Sequence, residues 1–197
     1  MLQPAAGDGG PGDAGGPDSG GVRGVDIREI PGEMRWQIAT RLVSSFPVLY
    51  DGAFREALGN RYNELEYNVW IEAGKEARAV AKGFRFPTGT AKEIAECVRV
   101  VTTLFFGPDV REEVLDISGT RAVILTKGCP FMVRGAEMGG RPAHLFPKCM
   151  AFSMAAVESL NPKYTTRFVR AMCMGDYRNC ELTILTREEA EKEDQKT

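Results

Sequence analysis

Histidine is almost missing from this chain: His144 stands alone among 197 residues. A Cys–His catalytic pair or a mixed Cys/His metal site therefore has one imidazole to draw on. Neither sign of charge dominates. Lys and Arg number 25 against 27 Asp and Glu, a net charge of -2. Without a concentrated basic surface, nothing calls for nucleic acid as a partner. No apolar run approaches the roughly 20 residues of a membrane span, so no membrane partner is expected. A basic segment followed by an apolar one, the mark of a secretory signal, is also missing. The expected setting is cytoplasmic, where five cysteines serve as reduced thiols, metal ligands or catalytic groups rather than disulfides. HExxH, P-loop and GxGxxG patterns are absent, as are a Ser-His-Asp order, a C-x2-C knuckle and any internal repeat.

What is present divides into a short tail, one domain and a charged end. Residues 1–24 are dominated by Gly, Pro, Asp and Ala. They have too little to bury to offset their ordering entropy, which predicts a flexible tail. Residues 25–186 are expected to form a single α+β domain. Ile38, Leu42 and Phe46 recur at helical spacing over 33–46, and a second short helix is expected over 49–58. Asn60 is a candidate cap for a long helix striped by Tyr62, Leu65, Val69, Ala73, Ala77 and Val80, with Trp70 beside the stripe. Thr90-Ala-Lys-Glu93 reads as a capping box opening a helix that carries Cys97 on its apolar side and stops at Gly107-Pro108.

The pattern then turns to strands. Residues 110–117 and 121–126 suit a hairpin around Ser118-Gly119. Residues 131–138 suit a short helix, 146–160 a longer one with Cys149, Phe152, Ala156 and Leu160 on one side, and 164–186 a second hairpin. Helices followed by hairpin, helix and hairpin predict N-terminal helices packed on a four-stranded antiparallel sheet. The last hairpin is expected to pair Cys173 with Cys180, Ala171 with Leu182 and Val169 with Ile184, since that register joins two apolar rows. Residues 187–197 are almost wholly charged and are read as a solvated tail, frayed or helical.

Cys129, Cys149, Cys173 and Cys180 all fall at strand ends or on an apolar helix side. Four thiolates are a soft ligand set for zinc or an iron–sulfur cluster. Their spacing, C-x19-C-x23-C-x6-C, makes a site depend on the fold gathering them. Cys97 fits the core. Cys129, before Pro130 and a helix start, stands where a helix dipole favours a thiolate. His144 lies in a Pro-flanked connection, where it can serve a site or merely meet solvent.

The C-terminal half resembles a known group. Cys129-Pro-Phe, the helix bearing Cys149, and Cys173-Met-Gly-Asp-Tyr-Arg-Asn-Cys180-Glu-Leu-Thr-Ile look like the end of 4-vinyl-reductase-type small-molecule-binding domains. They are also similar to L-2-amino-thiazoline-4-carboxylate hydrolase-like proteins. The resemblance covers roughly 33–186 in element order and is specific over 129–186. It implies an α+β domain like those of trafficking-complex subunits and haem nitric-oxide sensors, with a pocket between helices and sheet. Members include ligand sensors, accessory proteins and ring-opening hydrolases, so the match speaks for fold more than function.

The residues and the resemblance together leave three readings. The first is a sensor or accessory module enclosing a small apolar or heterocyclic ligand, with Cys129, Cys149, Cys173 and Cys180 as a metal or redox site beside it. The second is a thiol-dependent hydrolase of a small cyclic C–N substrate. There Cys129 or Cys173 would attack, and Asp176 or His144 would move protons. The third is a non-catalytic assembly subunit. The exposed faces of the long helices leave room for a homodimer without assigning the face.

Overall fold

The computed structural model describes residues 26–175 and 178–196. The expected flexible tail, 1–24, lies outside the described residues, as does Asp176. The described residues up to Pro31 belong to a unit of their own, in which Ile27–Glu29 make a 3-10 turn capped by Asp26. From Gly32 onward the architecture is α+β, as the element order predicts: helices precede and cover an antiparallel sheet.

Helix α1 (Gly32–Leu58) runs unbroken where the sequence pattern suggests two helices. Pro47 removes one backbone donor, yet Pro47 and Val48 are buried, and their packing holds the helix together. Its inward side also differs from the expectation. Thr40, Ser44, Pro47 and Val48 are buried, while Ile38 and Leu42 are more than half exposed. The reason lies in what α1 meets. Ser44 Oγ donates to the Phe106 carbonyl oxygen at 3.2 Å. Gly107, at φ +95°, leaves room for Thr40, whose Oγ1 would lie only 2.5 Å from a Cβ placed there. Small polar residues permit this approach, and the larger apolar ones are turned outward.

Helix α2 (Asn60–Phe84) is capped by Gly59 at φ +54°, not by Asn60. Its buried residues are Tyr62, Gly74, Ala77 and Ala81, whereas Leu65 and Val69 of the expected stripe are exposed. Helix α3 (Ala91–Phe106) opens with the predicted capping box. Thr90 Oγ1 accepts from the Glu93 N–H at 3.3 Å, and the Glu93 carboxylate accepts from the Thr90 N–H at 3.0 Å. Cys97 is buried in the core beside it.

Strands β1 (Arg111–Ser118) and β2 (Arg121–Gly128) form the first hairpin. Helix α4 (Pro130–Met138) and helix α5 (Phe146–Leu160) lead to β3 (Tyr164–Arg170) and β4 (Cys180–Thr186). The strand order is β1-β2-β4-β3, every neighbour antiparallel. Helices α3 and α5 pack on the sheet, and α2 packs on α5.

The last hairpin corrects the expected register. Phe168 faces Leu182 and Thr166 faces Ile184, three residues away from the expected pairing, so the other side of β3 turns inward. Val169 is 60% exposed. Strand β3 stops at Arg170 after a bulge, and Cys173 lies in a 3-10 turn (Met172–Met174) rather than in a strand opposite Cys180. Burying the aromatic ring of Phe168 and the polar but compact Thr166 leaves two arginines, Arg167 and Arg170, to reach solvent from the sheet edge. Each makes an ion pair there, with Asp194 and Glu181 respectively, both at 2.7 Å.

The charged C-terminal stretch forms helix α6 (Arg187–Asp194), started by Thr186, whose side chain accepts from the Glu189 N–H. It buries Ala190 and pairs Glu189 and Glu193 with Arg121.

Candidate functional site

The inner face of the sheet begins with a polar row that crosses three strands. Glu112 on β1 pairs with Thr126 on β2, and Thr126 pairs with Cys180 on β4. A register shift between Arg111 and Glu112 marks a bulge at the start of β1, the kind of irregularity that re-aims a side chain. The next row inward, Val114, Ile124, Leu182 and Phe168, is apolar throughout. Helices α3 and α5 roof these rows, and together they enclose a cavity of about 90 Å³.

Aromatic rings form much of the cavity wall. Phe106 lies 4.8 Å from Phe131 and 5.2 Å from Phe152 between ring centroids, both near edge-to-face. Trp70 meets Phe131 at 5.6 Å, edge-on. Such contacts add stabilisation beyond the apolar area they bury and fix the rings against one another. The volume is below the roughly 150 Å³ of an apolar cavity that holds benzene, so an occupant is at most one six-membered ring and its entry requires the walls to give slightly.

The polar groups converge from the sheet end. Thr102 Oγ1 donates to Glu112 Oε2 at 2.7 Å, and Thr126 Oγ1 donates to Glu112 Oε1 at 3.1 Å. Burial pushes the Glu112 carboxyl above its ordinary value, against the opposing pull of those two hydroxyls and of Arg99.

Three of the four predicted cysteines, Cys129, Cys149 and Cys180, line this cavity. Cys129 caps α4, Cys149 lies on α5, and Cys180 opens β4. Cys173 is buried in its 3-10 turn and still acts electrostatically on Cys149. Met172 N–H donates to Cys180 Sγ at 3.3 Å, tying that turn to the strand. The fold thus gathers the four thiols that sequence spacing leaves far apart. Burial dominates their acidity. It pushes Cys129 and Cys173 up to about 11, and Cys149 well above the usual thiol value with reinforcement from the neighbouring thiols. At Cys129 the backbone N–H groups of Phe131 and Met132 favour the thiolate, but burial outweighs them. All five cysteines are free. Among the described residues, no group of three or more His, Cys, Asp or Glu side chains is arranged to hold a metal ion.

His144 sits elsewhere. Its Nδ1 lies 2.8 Å from Asp51 Oδ2, in a network that no sequence motif announces. Asp51 also pairs with Arg55 at 2.6 Å, and the buried Lys148 pairs with Glu66 at 2.8 Å. Tyr62 OH donates to Glu66 at 2.6 Å. Burial opposes the charge of Asp51, yet the hydrogen bonds from Arg55 and His144 together hold its carboxyl below the usual value. The cleft beside His144 has no cysteine in its wall.

Sequence reasoning passes over Glu112 and the aromatic wall. A signal exists for Glu112: it shares the phase of Val114 in an alternating strand, which turns a carboxylate toward the core side.

No family model matches the chain, and no curated protein matches it either. Among solved structures it is similar to the crystal structure of the phenol-responsive sensory domain of the transcription activator PoxR with phenol. The TM-score is 0.50 at 16% identity, covering 76% of this chain and 75% of that one. At this identity the likeness bears on fold: the chain shares the α+β arrangement of that sensory domain. Among the described residues no helix is long and apolar enough to cross a membrane.

Proposed function

We propose that the chain is a small-molecule-binding module of the 4-vinyl-reductase type, a sensor or accessory domain, whose ligand occupies the cavity between α3, α5 and the sheet. The observation that carries this reading is the enclosure of a space for at most one ring by aromatic side chains with a few converging polar groups, the usual make-up of a ligand site. The PoxR sensory domain, which carries phenol, supports it through fold. Titration calorimetry with single-ring aromatics tests it. Binding of one ring per chain, lost when Phe152 is replaced by Trp to fill the cavity, is the expected result. No binding by any ring of that size would sink the reading.

The thiols enter the same proposal as a metal or redox clasp. Cys129, Cys149, Cys173 and Cys180 suit zinc or an iron–sulfur cluster by donor chemistry, and a bound metal would supply a structural tie between α4, α5 and β4. The support lies in donor chemistry alone, since among the described residues no group of three or more such side chains is arranged to hold an ion. Metal analysis of anaerobically purified protein checks this, about one equivalent of zinc or a cluster's iron being expected. Four thiols as open to alkylation as in the chelator-treated protein would refute it. A thiol hydrolase is less well supported, because burial keeps Cys129 and Cys173 protonated at neutral pH.

A further inference from the structure

The cavity described above has one carboxyl group in its wall, and burial works against its charge. Glu112 lines it, whereas no Lys, Arg or His does. Among the described residues Arg99 is the one cation that acts on Glu112, and its guanidinium is bonded to Glu96 at 2.8 Å. An ionised carboxylate offers about four lone-pair positions. Thr102 and Thr126 fill one on each oxygen. That leaves an acceptor position on each oxygen, and a carboxylate with both oxygens available suits two N–H donors. The rest of the wall adds to this preference. Phe106, Phe131, Phe152 and Trp70 bring π surfaces that attract a cation as well as a flat ring.

The geometry points to Glu112 as the anchor of a single-ring ligand bearing a cationic N–C–N or aminoheterocycle group, held between the carboxylate and the aromatic wall. This rests on the cavity being the ligand site and adds the chemical class of the ligand. A cationic ring would supply the counter-charge that the cavity wall lacks, so that the buried carboxylate can form, whereas a neutral or anionic ring would supply none. The two threonines have a defined part, since each holds one carboxylate oxygen.

The test compares 2-aminopyridine, whose protonated form presents two parallel N–H groups, with phenol, a neutral ring of the same size, by titration calorimetry on the full chain. The wild type is expected to bind 2-aminopyridine at least about tenfold more tightly, roughly the difference one charge-assisted hydrogen bond makes. Glu112→Gln is expected to erase that margin, since the charge-assisted bond is lost. Phenol bound as tightly as 2-aminopyridine by the wild type overturns the assignment and leaves the cavity reading intact. Neither ring binding at all overturns both. Should Glu112→Gln fail to fold, the wild-type comparison stands by itself, and Glu112→Asp, which withdraws the carboxylate by one methylene, is expected to weaken 2-aminopyridine selectively.

Discussion

At the scale of single residues, burial decides more than charge. Cys129 sits at a helix start, where the dipole favours a thiolate, but its acidity is set by enclosure, which pushes it up to about 11, as it does Cys173. At pH 8 both are thiols. The expected outcome is slow iodoacetamide labelling of the metal-free protein, rising about tenfold per pH unit toward pH 10. Rapid labelling of either residue at pH 7 would contradict it and revive the nucleophile. Asp51 shows the opposite balance, since Arg55 and His144 overcome the cost of burial and hold its carboxyl low. A depressed folded-state value means that the unfolded chain takes up protons first. The stability Asp51 contributes is therefore complete above the ordinary carboxylate value of about 4 and is lost as pH falls through the lower folded value. Asp51→Asn should cost about 1.5–3 kcal/mol at pH 7, the range for hydrogen bonds to charged groups. It should also flatten the acid limb of a stability–pH curve. An unchanged acid limb in urea melts from pH 5 downward would show that the network around His144 carries little.

At the scale of elements, close approach is set by what a residue lacks. Gly74 lets α2 settle on α5: a Cβ there would come within 2.4 Å of the Phe152 carbonyl oxygen and 2.9 Å of Ala155 Cβ. Gly74→Ala should therefore destabilise the fold by about 1–3 kcal/mol, the usual cost of overpacking, despite the better helix propensity of alanine. A gain in melting temperature would mean that the helices can part without loss. The same contact explains what is legible in the sequence and what is not. Local signals hold: the Thr90–Glu93 capping box, Gly139 at the end of α4 with φ +71°, and both hairpins appear where the pattern puts them. Apolar periodicity misleads at α1 and α2, because small residues such as Ser44 and Gly74 make the contacts and larger ones face out. The β3–β4 register fails for a related reason: Val169 fits an apolar row in sequence, although the bulge after Phe168 turns it to solvent. The gathering of thiols is legible as a set of residue types. Glu112 is legible only in its phase with Val114, which puts it on the core side, while its partners Thr102 and Thr126 depend on the fold.

At the scale of the whole molecule, the outward apolar residues of α1 and α2 form an open groove of about 660 Å³, lined by Phe54, Leu58, Leu65 and Val69 among others. Its floor includes Trp70, Phe106 and Phe152, which also wall the inner cavity, so one layer of rings separates the two spaces. Val69 is 62% exposed, and its replacement tests how that face behaves in solution. If the groove is open to water, Val69→Glu should leave the urea midpoint within about 0.5 kcal/mol of wild type. The substitution should also lower the fluorescence of anilinonaphthalene sulfonate, a dye that reports exposed apolar surface. A loss above about 2 kcal/mol that grows with protein concentration would have another meaning. It would show that the groove is covered by a second copy of the chain, because only an interface between copies makes stability depend on concentration. Sedimentation of wild type and variant at the same concentrations separates these outcomes, with a single species of unchanged size expected for both.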